Sequence, residues 1–282
     1  MVLGADFETR YARNKIMHIP VLLQKTIDGL DLKPGEFFVD ATLGAGGHSG
    51  KVCEIFGNNI TIIGIDRDEN TLSMAALKLS RMKCKIKVKH GNFRDIDLIL
   101  DEMKISRIDK IIFDLGLSSD QLEESGRGFT FQKNEPLVMT MSNDPSEATM
   151  TAYDIVNNWD GENIATILKA YGEERFAKQI AQTIVDRRQI RPINTTFELV
   201  EVIKKATPKY YHFKKMHPAT RTFQAIRIAV NDEMGSLQDG LRKSFDRLNT
   251  NGRIAVISFH SIEDRIVKNF FRDKARAGKV KL

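Results

Sequence analysis

The sequence predicts an α/β fold, a parallel sheet wrapped by helices and interrupted by a helical insertion. Three observations carry this. From Phe37, short β-branched runs alternate with stretches of helical periodicity, as in strands joined by crossover helices. After Asp114 the alternation stops and helical periodicity takes over. An apolar, β-branched run returns at 253–259, so the part of the sequence that forms the sheet is discontinuous.

The first four strands are expected at 37–40, 60–66, 85–90 and 108–114. They end in Asp40, Asp66, His90 and Asp114, and doubly wound sheets bind ligands beyond the carboxyl ends of their strands. Within the insertion, helical patterning covers 151–157, 162–170, 173–189 and 196–205; in the third, Phe176, Ala177, Ile180, Ala181 and Ile184 share one face. A stripe of Phe223, Ile226, Val230, Met234, Leu237, Leu241, Phe245 and Leu248 predicts a single strong helix after Pro218, with Gly235 and Gly240 tolerated inside it. Asn251-Gly252 predicts a turn into the last strand. The chain thus divides into core residues 1–124, an insertion at 125–217, and the rest of the core at 218–282.

A chain of 282 residues, 41% apolar and 28% charged, suits one α/β domain with an insertion. No apolar run is long enough to cross a bilayer, and Asp6, Glu8, Arg10 and Arg13 break up any signal-peptide core, so a cytoplasmic protein is expected. Cys53 and Cys84 stand apart with no zinc-type spacing and are expected as two separate reduced thiols. His48, His90, His217 and His260 lie on different segments without helical pairing, so no metal site is expected.

The net charge of +6 favours a polyanionic partner, and its distribution is more telling. Between Glu201 and Asp232 no acid occurs, while Lys204, Lys205, Lys209, Lys214, Lys215, Arg221 and Arg227 do, with Tyr210, Tyr211 and Phe213 among them. Lysines neutralise phosphates and aromatic rings stack on unpaired bases, a combination suited to looped or single-stranded RNA. The competing reading is a solvated lysine face with the rings packed inward. From Arg265 onward Lys268, Arg272, Lys274, Arg276, Lys279 and Lys281 face the single acid Asp273.

The first strand runs into a loop, Gly44-Ala45-Gly46-Gly47-His48, where glycines let the backbone approach a ligand closely. Such a loop also serves dinucleotides or merely packs a helix on a strand, but Ser49 takes the place of the third dinucleotide glycine. About twenty residues on, Asp66 ends the second strand, where a carboxylate accepts both hydroxyls of a ribose; its alternative role is a helix cap. Asp114 leaves the fourth strand. In a methyl transfer positive charge moves from sulfonium sulfur to the attacking atom, and a carboxylate there stabilises it and holds an amine. Asp114 could instead only cap its own turn.

Several segments resemble the MraW (RsmH) family: His18 to Leu23, Gly44 to His48, Ile65 to Asp68, His90 to Phe93, Asp114 to Ser119 with Gln121-Leu122, Arg127-Gly128-Phe129, Tyr171 to Lys178, His217 to Ala225, and Ser258 to Ser261 with Glu263-Asp264-Arg265. The likeness runs in order along nearly the whole chain. It implies a class I (Rossmann-like) methyltransferase sheet with a helical insertion for RNA, S-adenosylmethionine as cofactor, and N4 of a cytosine in the decoding region of small-subunit (16S) ribosomal RNA as target. It also implies cofactor contacts from Gly46, Gly47, His48, Asp66, Phe93, Asp114 and Gln121, with Asp114 catalytic and either free ribosomal RNA or the assembled small subunit as partner.

Two departures stand out. Where the family reads P-L-D-M-R-M, this chain has Pro136-Leu137-Val138-Met139-Thr140-Met141, losing an acid and a base together, as in a repacked loop. The family also continues past the helix that follows Ser261 into further strands, so a stop at Leu282 is expected to be a truncation. An assembly factor that binds ribosomal RNA without turnover is the alternative these departures motivate. An NAD-linked oxidoreductase is a third, which lacks its glycine.

Overall fold

The computed structural model describes residues 20–143 and 149–280. His18, Ile19 and Lys281, and the N-terminal stretch read against a leader peptide, lie outside the described residues.

The core elements follow in order: α1 (Leu23–Leu30), β1 (Phe37–Asp40), α2 (Gly47–Phe56), β2 (Thr61–Asp66), α3 (Glu69–Arg81), β3 (Lys85–His90), α4 (Ile96–Glu102), β4 (Ile108–Asp114) and α5 (Ser119–Glu124). A helical unit comes next: α6 (Ala152–Asn158), α7 (Gly161–Gly172), α8 (Ala177–Arg188), α9 (Thr196–Ala206), α10 (Lys209–His212) and α11 (Thr220–Asn231). α12 (Glu233–Arg247), β5 (Leu248–Ile257) and α13 (Ser261–Arg276) return to the sheet.

The five strands are all parallel, in the order β3-β2-β1-β4-β5. Their alternating side chains divide between two layers. Phe38, Ile62 and Ile112 pack with Ile27 of α1, Val52 of α2 and Leu79 of α3 on one face. Val39, Ile63, Ile111 and Phe113 pack with Leu100 of α4 and Leu237 and Leu241 of α12 on the other. Burial on both faces is why the central strands read as continuous apolar runs. This is the class I methyltransferase type of α/β fold that the sequence predicts.

The helical unit has its own core, in which Ile155, Leu168, Ile180, Ile184, Leu199 and Ile226 are fully buried. Its helices start where caps are available: Thr151 with Asp154 and Thr195 with Glu198 form reciprocal capping boxes. α7 and α11 cross closely because Gly172 has no side chain; a Cβ there would lie 2.5 Å from the Arg221 carbonyl oxygen.

Four expectations are corrected. Residues 173–176 are a turn, not the start of a helix: Glu173 adopts φ 47° and ends α7, and α8 begins at Ala177. The predicted helix after Pro218 is broken at Asp232, which adopts φ 45° and ψ 48°. Phe223 and Ile226 belong to the helical core while Leu237 and Leu241 belong to the sheet, and a straight helix cannot face both. The packing therefore changes sides at Asp232. The last strand begins at Leu248, passes through Asn251 at φ 66° with an irregularity in its pairing to β4, and ends at Ile257, so Phe259 lies beyond it. Finally, Cys53 and Cys84 do not stand apart: their Cα atoms lie 5.7 Å from each other, within reach of a disulfide, because α2 and the entry to β3 share one apolar cluster.

Among the described residues no helix is long and apolar enough to cross a membrane, and no group of His, Cys, Asp and Glu could hold a metal ion.

Candidate active site

A cavity of about 920 Å³ opens at the carboxyl edge of the sheet, walled by the ends of β1, β2 and β4 and the start of α12. Its size suits a small-molecule ligand.

The floor is the loop after β1. Leu43 N–H donates to the Ile65 carbonyl at 2.9 Å and Gly44 N–H to Asp66 Oδ2 at 2.7 Å, so the loop is stitched to the end of β2. Gly44, Ala45, Gly47 and His48 line the cavity. Gly46 does not; at φ 71° it makes the left-handed turn into α2, and a Cβ on it would press on Leu79 and Ala75 of α3. Its φ shapes the loop, which presents Gly44 and Ala45 to the cavity just before it.

Asp66 faces the cavity with both oxygens already braced: Oδ2 by Gly44 N–H and Oδ1 by Asp68 N–H at 2.9 Å. A carboxylate has roughly four acceptor sites, which leaves two for hydroxyl groups of a ligand. Burial pushes its pKa up. The helix cap considered for Asp66 is supplied by Asp68, which accepts from Thr71 N–H at 3.2 Å.

Phe93 lines the same cavity and packs edge-on against Phe113 at 5.3 Å. Gly240 makes room for it, since a Cβ there would lie 2.7 Å from the Phe93 ring. Gln121 completes a capping box with Ser118, its Oε1 accepting from Ser118 N–H at 3.1 Å, which leaves its amide donors for the cavity that it lines.

Asp114 ends β4, its N–H donating to Thr42 Oγ1 at 2.7 Å. Oδ1 is buried with no hydrogen-bond partner, and Oδ2 lies 3.6 Å from His48 Nδ1. Burial, and then the charge of Asp40 at the end of neighbouring β1, push the Asp114 carboxyl up to about 6. Burial pushes His48 down, so the imidazole beside Asp114 is neutral and the contact is not an ion pair. Asp40 is raised to about 6 by its own burial, against the pull of Ser49 Oγ, which donates to it at 2.7 Å. An orphaned acceptor and two coupled carboxyls make this the chemically poised corner of the cavity.

Sequence reasoning missed the opposite wall. Glu233 and Glu263 line the cavity. Arg227 holds Glu233 through two 2.8 Å hydrogen bonds, and Glu263, 2% exposed, accepts from Phe259 N–H at 2.8 Å. Arg227 and Glu233 do not share a face of one helix, and only the break at Asp232 brings them together.

A sequence profile of the MraW methylase family matches residues 15–281. The chain belongs to the MraW methylase family. It is 46% identical over 256 residues to a Clostridium botulinum protein named ribosomal RNA small subunit methyltransferase H, covering 91% of this chain and 81% of that one. The Heliobacterium mobile protein of the same name is 44% identical over 260 residues, covering 92% and 82%. That of Brevibacillus brevis is 43% identical over 256 residues, covering 91% and 81%.

In this methylase the loop bearing Val138 and Thr140 is bonded within itself and also to Arg127 and Asn231. Val138 N–H donates to the Pro136 carbonyl at 2.9 Å, Thr140 Oγ1 to the Ser142 carbonyl at 3.0 Å, and Met141 reaches the cavity wall. The methylase exposes Lys204, Lys205, Lys209, Lys214 and Lys215, with Tyr210 and Phe213 also exposed, the latter 87%. Tyr211 is the exception among the rings expected to stack: it is buried, its hydroxyl donating to Glu174 Oε2 at 2.8 Å. Arg221 is half-buried and donates to the Glu173 carbonyl, which ties it to the helical unit.

Proposed function

We propose that this methylase transfers the methyl group of S-adenosylmethionine to N4 of a cytosine in the decoding region of small-subunit ribosomal RNA, in the cytoplasm. The observation that carries it is the unpartnered Asp114 Oδ1, at the edge of a cavity whose floor is a glycine loop braced by Asp66. The names of the relatives, which specify small-subunit ribosomal RNA, support the substrate class.

When bound, S-adenosylmethionine supplies an electrophilic methyl carbon on a sulfonium centre. The Gly44 to His48 loop takes it against exposed backbone, Asp66 accepts its ribose hydroxyls, Phe93 flanks the adenine, and Gln121 donates towards the methionine end. The cytosine amine is a weak nucleophile because its lone pair is delocalised into the ring. Asp114 Oδ1 accepts a hydrogen bond from that amine, draws the pair back onto nitrogen, and takes up the proton that nitrogen must lose. Neutral His48 leaves the carboxylate's basicity intact. The segment 125–217, with its lysines Lys204, Lys205, Lys209, Lys214 and Lys215 and with Arg221, grips RNA phosphates, while 1–124 and 218–282 carry the chemistry on an extruded base.

Mass mapping of ribosomal RNA from cells with and without the gene tests this. The expected result is one cytosine that loses a methyl group on its amine when the gene is absent. An unchanged map would leave RNA binding without turnover as the function.

A further inference from the structure

We propose that the ring of Phe259 is the platform on which the target base stacks inside the cavity, a substrate-positioning role that rests on the RNA function above. Phe259 lines the cavity yet is 56% exposed, so a large aromatic ring stands uncovered at the cavity wall. Its backbone is fixed, because its N–H donates at 2.8 Å to Glu263, a carboxylate only 2% exposed.

The sheet register sets where the ring stands. Asp114 pairs with Ile257, and Leu115 N–H donates to the Ile257 carbonyl at 3.1 Å. Two residues beyond these partners come Gly116 and Phe259, which are neighbours: a Cβ on Gly116 would lie in ordinary contact, 3.5 Å from Phe259 Cδ2. The ring thus stands beside the backbone that follows Asp114, at the point where Gly116 takes φ +99°. A flat heterocycle resting on this ring lies alongside the Asp114 carboxylate.

A base drawn out of RNA loses its stacking neighbours, and an aromatic side chain replaces them. Stacking tolerates any base, so Phe259 holds the heterocycle while Asp114 addresses its amine.

The test uses the whole chain, labelled S-adenosylmethionine, and small ribosomal subunits purified from cells lacking this gene. Phe259→Ala is expected to lower kcat/KM for the subunit by about ten- to a hundredfold, the range of a lost base–aromatic stack. Its affinity for S-adenosylmethionine by calorimetry, and its melting temperature, are expected to match the wild type, since the ring is exposed. Phe259→Tyr and Phe259→Trp are expected to retain activity close to wild type, and Phe259→Leu to fall nearly as far as the Ala variant. Wild-type rates in Phe259→Ala or Phe259→Leu, or a loss of cofactor affinity that matches the loss of rate, would overturn the stacking role while leaving the methylation function standing. A wild-type protein that methylates no RNA would overturn both.

Discussion

The Arg127 guanidinium donates to Asp68 Oδ2 at 2.7 Å across 59 residues of sequence, and both side chains are nearly buried, at 14% and 7% exposure. Its second nitrogen donates to the Thr140 and Met141 carbonyls at 3.1 and 2.9 Å. One side chain thus fastens the loop that carries Met141, which lines the cavity, to the residue that caps α3. Arg127→Met leaves Asp68 buried without its partner and is expected to cost about 3–5 kcal/mol. Adding Asp68→Asn keeps the cap and removes the stranded charge, so the double variant is expected to recover part of the loss. Urea denaturation of both single variants and the double one measures it; additive losses would mean the pair is not coupled.

Asp66→Ala removes an acceptor that serves both the ligand side and Gly44 N–H. S-adenosylmethionine binding is expected to weaken by about 1.5–3 kcal/mol, the cost of losing a charged hydrogen bond. Calorimetry on the folded variant checks this, and unchanged affinity would take Asp66 out of the cofactor site.

Asp114→Asn keeps the shape and removes the charge, so the rate is expected to fall much more than cofactor affinity. With the Asp114 carboxyl at about 6, the wild-type rate is expected to rise through about pH 6 as the proton leaves. Asp40→Asn removes the neighbouring charge and is expected to move that limb to lower pH, though not to the ordinary value, because burial is the larger cause. Stability runs the other way. Both carboxyls titrate higher folded than unfolded, so the folded state holds more protons between about pH 4 and 6 and loses stability as pH rises through that window. At pH 7.5, Asp40→Asn is therefore expected to be more stable than wild type, by up to about 3 kcal/mol. A pH–rate profile and a pH series of melts read the two effects separately; a limb unmoved by Asp40→Asn would uncouple the pair.

Replacing Lys204, Lys205, Lys209, Lys214 and Lys215 by Gln is expected to weaken RNA binding and flatten its salt dependence by roughly one unit of log–log slope per lost phosphate contact. All five are exposed on the helical unit and none lines the cavity, so cofactor affinity is expected to stay the same. An unchanged slope would move the RNA contact to the basic residues from Arg265 onward.

The sequence by itself determined the parallel sheet, the glycine loop, the strand-end carboxylates and most of the helices, because these depend on short-range patterns: period two, period three to four, and glycine where the backbone turns. Asp40, Asp66 and Asp114 announced themselves by position alone. What tertiary structure decided are the relations between distant segments. The stripe from Phe223 to Leu248 reads as one helix, since periodicity reports that each residue is buried but not in which core; two cores in different directions impose the break at Asp232. That break creates the Arg227–Glu233 pair. Tyr211 and Phe213 look alike in sequence, and only the buried Glu174 draws one inward while the other stays in solvent. The coupling of Asp40 to Asp114, the niche that Gly240 leaves for Phe93, and the meeting of Gly116 with Phe259 all arise from strand order and register. Local pattern fixes how a segment folds, but which residues meet across the sheet depends on which neighbours compete for the same buried face, and that competition is settled only when the whole chain packs.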